Sequence, residues 1–155
     1  MSVQKYVSQV KDINWSKEMV YSKLSDLNTL GKLYNPENIE RAKEQLGDKA
    51  DKFNLEDFSA DSDSCSFTVS PIGRISLRII DREENKTIKI QSEEGIPGSF
   101  TLWIQLLPVN ENSCKSRLTL HADMNMMMKM MLGKKLSKGI DQFADGLTRI
   151  PFGNL

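Results

Sequence analysis

The chain of 155 residues has little histidine, cysteine or tryptophan, with one, two and two of them. With His121 alone and Cys65 and Cys114 far apart, a zinc site has too few ligands and a disulfide framework cannot be made. The glycines match neither the phosphate-cradling loop nor the dinucleotide fingerprint, so no cofactor is expected. Its 21 basic and 21 acidic side chains cancel, which removes the footprint of a general nucleic-acid binder. The most apolar stretches, Phe100–Leu107 and Met124–Leu132, fall well short of the ~20 residues of a membrane span. No signal-type apolar run stands in the opening MSVQKYVSQVKDI, and the expected location is cytoplasmic, with free thiols.

What is present is a change of period. One domain over residues 1–155 is expected, since no linker, repeat or low-complexity tract divides it. Val3 to Ile13 alternates loosely as a first strand with an irregularity; Met19, Val20, Leu24 and Leu27 then recur at helical spacing behind Asn14 and Ser16 as caps. Asn35-Pro36-Glu37 opens a second helix running to about Gly47, and GDKADKFNLED reads as a solvated connection. Beyond it the period becomes two. Cys65, Phe67 and Val69, then Ile75, Leu77 and Ile79, then Ile88 and Ile90, then Phe100, Leu102, Ile104 and Leu106, then Leu118, Leu120 and Ala122 mark the inward face of an antiparallel meander.

The last long segment, Met124 to Ile150, opens with six of the eight methionines. At about 100° per residue, Leu132, Leu136, Gly139, Ile140, Phe143, Gly146, Leu147 and Ile150 share one face, with Lys134, Lys138, Asp141 and Asp145 opposite. Such a helix must lay its apolar face on something, and the one-sided sheet is the available partner. The expected class is α+β: a curved seven-stranded antiparallel sheet around a long C-terminal helix, with two short helices between strands one and two.

This order resembles the helix-grip fold of the START-like or SRPBCC superfamily, which includes polyketide cyclases and birch-pollen-allergen-like proteins. The stretches that carry the resemblance are Val20-Tyr21-Ser22-Lys23-Leu24-Ser25-Asp26-Leu27, the meander from Cys65 to Met124, and Ile140-Asp141-Gln142-Phe143-Ala144-Asp145-Gly146-Leu147. Asp63-Ser64-Cys65-Ser66-Phe67 and Leu102-Trp103-Ile104-Gln105-Leu106 are more closely similar to small uncharacterised bacterial SRPBCC proteins of Bacteroidetes type. The resemblance implies a cavity between sheet and long helix, used in the superfamily for lipids, polyketides and other apolar molecules, with some members acting as enzymes and some through protein contacts.

Weighed residue by residue, the chemistry is sparse. His121 shares outward strand parity with Arg117 and Thr119, and the inward positions named carry no acid or base for catalysis. Cys65 and Cys114 are inward and read as small hydrophobes; Trp103, Leu107 and Ile80 are outward. The first-ranked function is therefore a non-enzymatic protein binding an apolar or amphipathic small molecule. Its candidate pocket draws Phe67, Val69, Leu77, Ile88, Ile90, Phe100, Leu102, Ile104, Leu118 and Leu120 from strands, and Met128, Leu136, Gly139 and Phe143 from the helix. Gly139 and Gly146 would leave room there. The second is an interaction module, with a protein partner or a second copy held at Met127 and Met130, where the methionines serve as core filler, cavity mouth or partner patch. Lys129, Lys134, Lys135 and Lys138 make that helix a basic amphipathic one. The third is polyketide-cyclase-like chemistry, which needs a polar group inside the cavity, Tyr6 or Tyr21.

Overall fold

The computed structural model describes residues 2–29, 55–69, 73–93 and 98–154. The expected second helix from Asn35, most of the charged connection after Gly47, and the turns at Pro71 and Glu94–Pro97 lie outside the described residues.

The first strand divides into β1, Ser2–Val7, and β2, Lys11–Ile13, and both pair antiparallel with the same later strand, β8, Ser113–Met124. At the break, the Ser8 N–H donates to the Leu118 carbonyl at 2.8 Å and the Ser8 hydroxyl accepts from the Leu118 N–H at 2.9 Å. The side chain stands in for a missing ladder carbonyl, so the Leu118 N–H keeps a partner at the irregularity. Helix α1, Lys17–Leu24, starts where the Ser16 hydroxyl accepts from the Met19 N–H at 3.2 Å, and it buries Val20 and Leu24.

The remaining strands form the expected meander: β3, Leu55–Ala60; β4, Ser64–Val69; β5, Gly73–Glu83; β6, Thr87–Ser92; β7, Ser99–Asn110; and β8. The sheet order is β1-β8-β7-β6-β5-β4-β3, with β2 also on β8, so the first and last strands meet and every described pairing is antiparallel. Turn chemistry fixes the hairpins. The Asp61 carboxylate accepts from the N–H groups of Asp63 and Ser64 at 2.8 and 2.7 Å, which holds its carboxyl below the usual range. Asn85 takes the left-handed conformation between β5 and β6.

Ile88, Ile90, Ile104, Leu106, Leu118 and Ala122 are buried on one face, as their alternation requires. Register puts Trp103, His121 and Arg117 on the other. Register shifts interrupt the described ladders at Glu56/Ser59, Ile79/Asp81 and Pro108/Asn110; at the second, Arg82 pairs with Ile88 and moves to the inner parity.

Helix α2, Met126–Thr148, is capped by Asn125, whose side-chain oxygen accepts from the Met128 N–H at 2.9 Å. It rests on β8, β2 and β1. Its buried stripe is Ile140, Ala144 and Leu147, whereas Gly146 is exposed and Phe143 is 43% exposed. The contact face is therefore turned roughly 60° from the one expected at 100° per residue. Two polar ties explain the turn: the Asp141 carboxylate accepts from the Gln9 N–H at 2.9 Å, and Asp145 pairs with Lys11 at 2.9 Å. Both aspartates, expected on the far side, face the β1–β2 edge. The chain then closes with a 3-10 turn, Phe152–Asn154, that buries Phe152 completely.

Candidate functional site

The seating of α2 defines two sides of its contact stripe. One flank, with Asp141 and Asp145, is fastened to the β1–β2 edge. The opposite flank, with Gly139, Phe143 and Gly146, must face away from that edge, toward the inner surface that continues through β7, β6, β5 and β4. A Cβ added to Gly139 or Gly146 would meet nothing within 4 Å. Both glycines border open space.

The candidate pocket residues separate by burial. Ile88, Ile90, Ile104 and Leu118 are sealed in the core. Phe67, Leu77, Phe100, Leu102 and Leu120 are only half-buried, as are Met128, Leu136 and Gly139 on the helix. Phe143, expected on the buried face, is exposed because of the helix rotation. Val69 is placed by its strand register opposite Leu55 and Gly73, and its side chain lies outside the described residues. Half-buried apolar side chains thus recur on the inner parity of β4, β5, β7 and β8.

Polar groups are few on this face. Tyr6, opposite Leu120, packs against the core, and its hydroxyl lies 3.7 Å from where a Cβ on Gly133 would stand. Tyr21 also packs against the core at α1. Arg82, which the alternation did not reveal, is already engaged. Its Nε and Nη2 donate to the Ser25 carbonyl at 3.1 and 3.0 Å, and Nη2 also donates to Ser62 O and Asp63 Oδ1 at 3.3 and 2.6 Å. The guanidinium covers the negative end of α1 and ties it to the β3–β4 turn. The consecutive Ile79-Ile80 was the available signal of the bulge, since it interrupts strict alternation.

Burial raises both thiols. Cys65 goes from 9.0 up to about 11 through loss of solvation, with Asp61 adding repulsion, and Cys114 is raised by burial and by Glu18. Thiols held protonated are poor nucleophiles. His121 lies on the outer face, edge-on to Trp103 with centroids 4.6 Å apart, and Lys89 sits 5.2 Å from the same indole. Among the described residues no cluster of three or more His, Cys, Asp or Glu could hold a metal ion.

A depression of about 370 Å³ lies on the outer side of β3–β5, lined by Ser59, Ser66, Ser76, Arg78 and Glu93 among others. Its polar groups serve one another: Ser59 and Ser66 hydroxyls lie 3.0 Å apart, Arg74 donates to Ser66 at 2.8 Å, and Arg78 pairs with Glu93 at 3.1 Å. It is a hydrogen-bonded surface of the sheet, remote from the apolar face.

No protein-family model matches the sequence, and no curated protein matches it. Solved structures do. Norcoclaurine synthase from Thalictrum flavum is similar at a TM-score of 0.63 and 14% identity, over 96% of this chain and 86% of that one. Another structure of the same synthase, in complex with dopamine and hydroxybenzaldehyde, gives a TM-score of 0.60 at 14% identity, with 96% and 86% covered. A START superfamily protein from Mycobacterium smegmatis gives 0.54 at 14% identity, over 94% of this chain and 99% of the other. The antiparallel sheet with its first and last strands adjacent, the long C-terminal helix laid on it, and these likenesses over nearly the whole chain identify the helix-grip fold of the START-like superfamily.

Proposed function

We propose that this chain, working as one domain in the cytoplasm, binds an apolar or amphipathic small molecule of lipid-like or polyketide-like character between its sheet and α2, without catalysing a reaction on it. The observation that carries the reading is the lopsided seating of α2. The helix covers β1, β2 and β8, Phe67, Leu77, Phe100 and Leu102 on the inner parity of the sheet stay half-buried, and Gly139 has no neighbour within 4 Å of where a side chain would begin. Apolar surface of this kind gains by excluding water, at about 25 cal/mol per Å². The fold supports the reading, since the similar norcoclaurine synthase structure holds two aromatic molecules. The described inner face offers no acid–base pair, and Arg82 is committed to carbonyls and Asp63.

Native mass spectrometry of gently purified protein is the direct test, with a retained small-molecule mass expected. Gly139→Phe should fill the open space and expel that mass while the protein stays folded. Protein that carries nothing after purification, and takes up an apolar fluorescent probe equally well with and without Gly139→Phe, would overturn the proposal. A cyclase-like reading keeps one observation in its favour, the Tyr6 hydroxyl beside Gly133; product formation that Tyr6→Phe abolishes would establish it.

A further inference from the structure

The first turns of α2 differ from the rest of the helix. At about 100° per residue, Met126, Lys129 and Met130 lie on the side that carries Ile140 further along. Yet Met126 is 79% and Met130 81% exposed, and Lys129 is exposed too. That side is covered only where the sheet lies beneath it, and β1 begins at Ser2 where β8 ends at Met124. These turns therefore overhang the sheet. Met127 and Met131, on the outward side, are 71% and 56% exposed. Six residues at 1.5 Å each make a segment of about 9 Å whose exposed side chains are four methionines and Lys129, with Met128 half-buried.

Directly behind it stand Lys134, Lys135 and Lys138, all exposed and all within about 60° of the outward direction. From Met126 to Ile140 there are four lysines and no acidic residue, although the whole chain is neutral. Asp141 and Asp145 do not offset them, because both are turned to Gln9 and Lys11. A methionine-rich tip with a cationic stripe behind it thus stands at one end of the helix.

We propose that this end of α2 docks on an anionic membrane surface. The tip's length matches the ~5–10 Å to which amphipathic helices enter the headgroup and acyl boundary. The lysines then stand at the level of lipid phosphates, where each contributes about 1 kcal/mol. Exposure over the wide arc from Lys129 through Met126, Met130 and Met127 to Met131 suits a fluid layer, which takes up a broad apolar face, better than an acidic protein groove, which would read one narrow stripe of it. Docking here would bring the Gly139 flank of the same helix near the bilayer from which an apolar ligand could be taken.

The test is co-sedimentation of the full chain with phosphatidylcholine vesicles, with and without phosphatidylserine. Binding is expected only where phosphatidylserine is present, and it should weaken as salt screens the lysines. Lys134→Glu with Lys138→Glu should weaken it about tenfold or more. Met127→Gln with Met130→Gln should weaken it too, at an unchanged melting temperature because both side chains are exposed. Should the methionine variant melt early, the lysine pair carries the same test. No binding to phosphatidylserine vesicles, equal binding to both lipids, or indifference to both double substitutions would overturn the proposal. Capture of an acidic protein without vesicle binding would do the same. The vesicle assay uses no ligand, so its failure and the failure of the pocket reading are separate results.

Discussion

Phe143 and Phe152 are close neighbours in sequence and opposites in environment. Phe152 is fully buried in the cluster with Ile13, Val20, Leu24 and Leu147, and Trp15 packs against the turn that holds it; Phe143 is 43% exposed on the free flank of α2. One face of the helix, with Ile140, Ala144 and Leu147, closes the core, and a neighbouring face leaves Phe143 uncovered. Stability and the proposed binding thus fall to different faces of one element. Substituting the two phenylalanines tests this directly. Phe152→Ala should cost about 3–5 kcal/mol by loss of burial plus the cavity left behind, read as a lowered denaturation midpoint. Phe143→Ala should cost under about 1 kcal/mol and instead weaken retention of an apolar probe. Equal losses of stability would erase the distinction.

Arg82 sharpens the same contrast, since it fastens α1 to the β3–β4 turn through four hydrogen bonds. Arg82→Ala should destabilise by about 1.5–3 kcal/mol, the range for bonds to a charged group, with the lower part favoured because the side chain is partly exposed. Arg82→Lys should restore only part, because an ammonium cannot span the two-point contact with the Ser25 carbonyl. Thermal unfolding of the three proteins side by side decides it.

Cys65 extends the comparison to pH. At neutral pH the thiol is protonated in both folded and unfolded chains. Above about 9.0 the unfolded chain ionises it, whereas burial holds the folded thiol up to about 11. The unfolded state then binds fewer protons than the folded one, so stability falls as pH rises across this window. Denaturation midpoints of wild type and Cys65→Ala should converge between pH 9.0 and 11 if the wild type is the more stable at neutral pH, because only the wild type carries this loss. Parallel curves would show that Cys65 does not titrate as its burial requires.

Most of the sheet was legible because inward and outward residues alternate with few exceptions, so register and inner face follow from positions such as Leu102, Ile104, Leu118 and Leu120. The break after Val7 was legible as an irregularity, though not the hydroxyl of Ser8 that repairs it. What periodicity could not supply was orientation. A helical wheel ranks apolar faces but knows nothing of a Gln9 N–H or a Lys11 waiting at a sheet edge, and these turned α2 away from its most apolar direction. Arg82 was hidden by a one-residue slip, and Trp15 and Phe152 by their places outside any periodic segment.

Gly139 yields the smallest effect and the one that separates the two roles of α2 most cleanly. A helix-interior glycine costs about 0.8–1.0 kcal/mol relative to alanine, and here a Cβ would meet nothing within 4 Å, so Gly139→Ala should stabilise by up to about that amount. Glycines at real contacts behave differently. Gly98, at φ +84°, would drive a Cβ into the Asp123 carbonyl oxygen, and Gly153 would drive one into the Trp15 ring, so alanine at either should destabilise. If Gly139 is kept only by chance, Gly139→Ala gains stability at no other cost. If it leaves room for a ligand, the same substitution gains stability and loses affinity for an apolar probe, and a fluorescence titration beside a melting curve reads both quantities from one preparation.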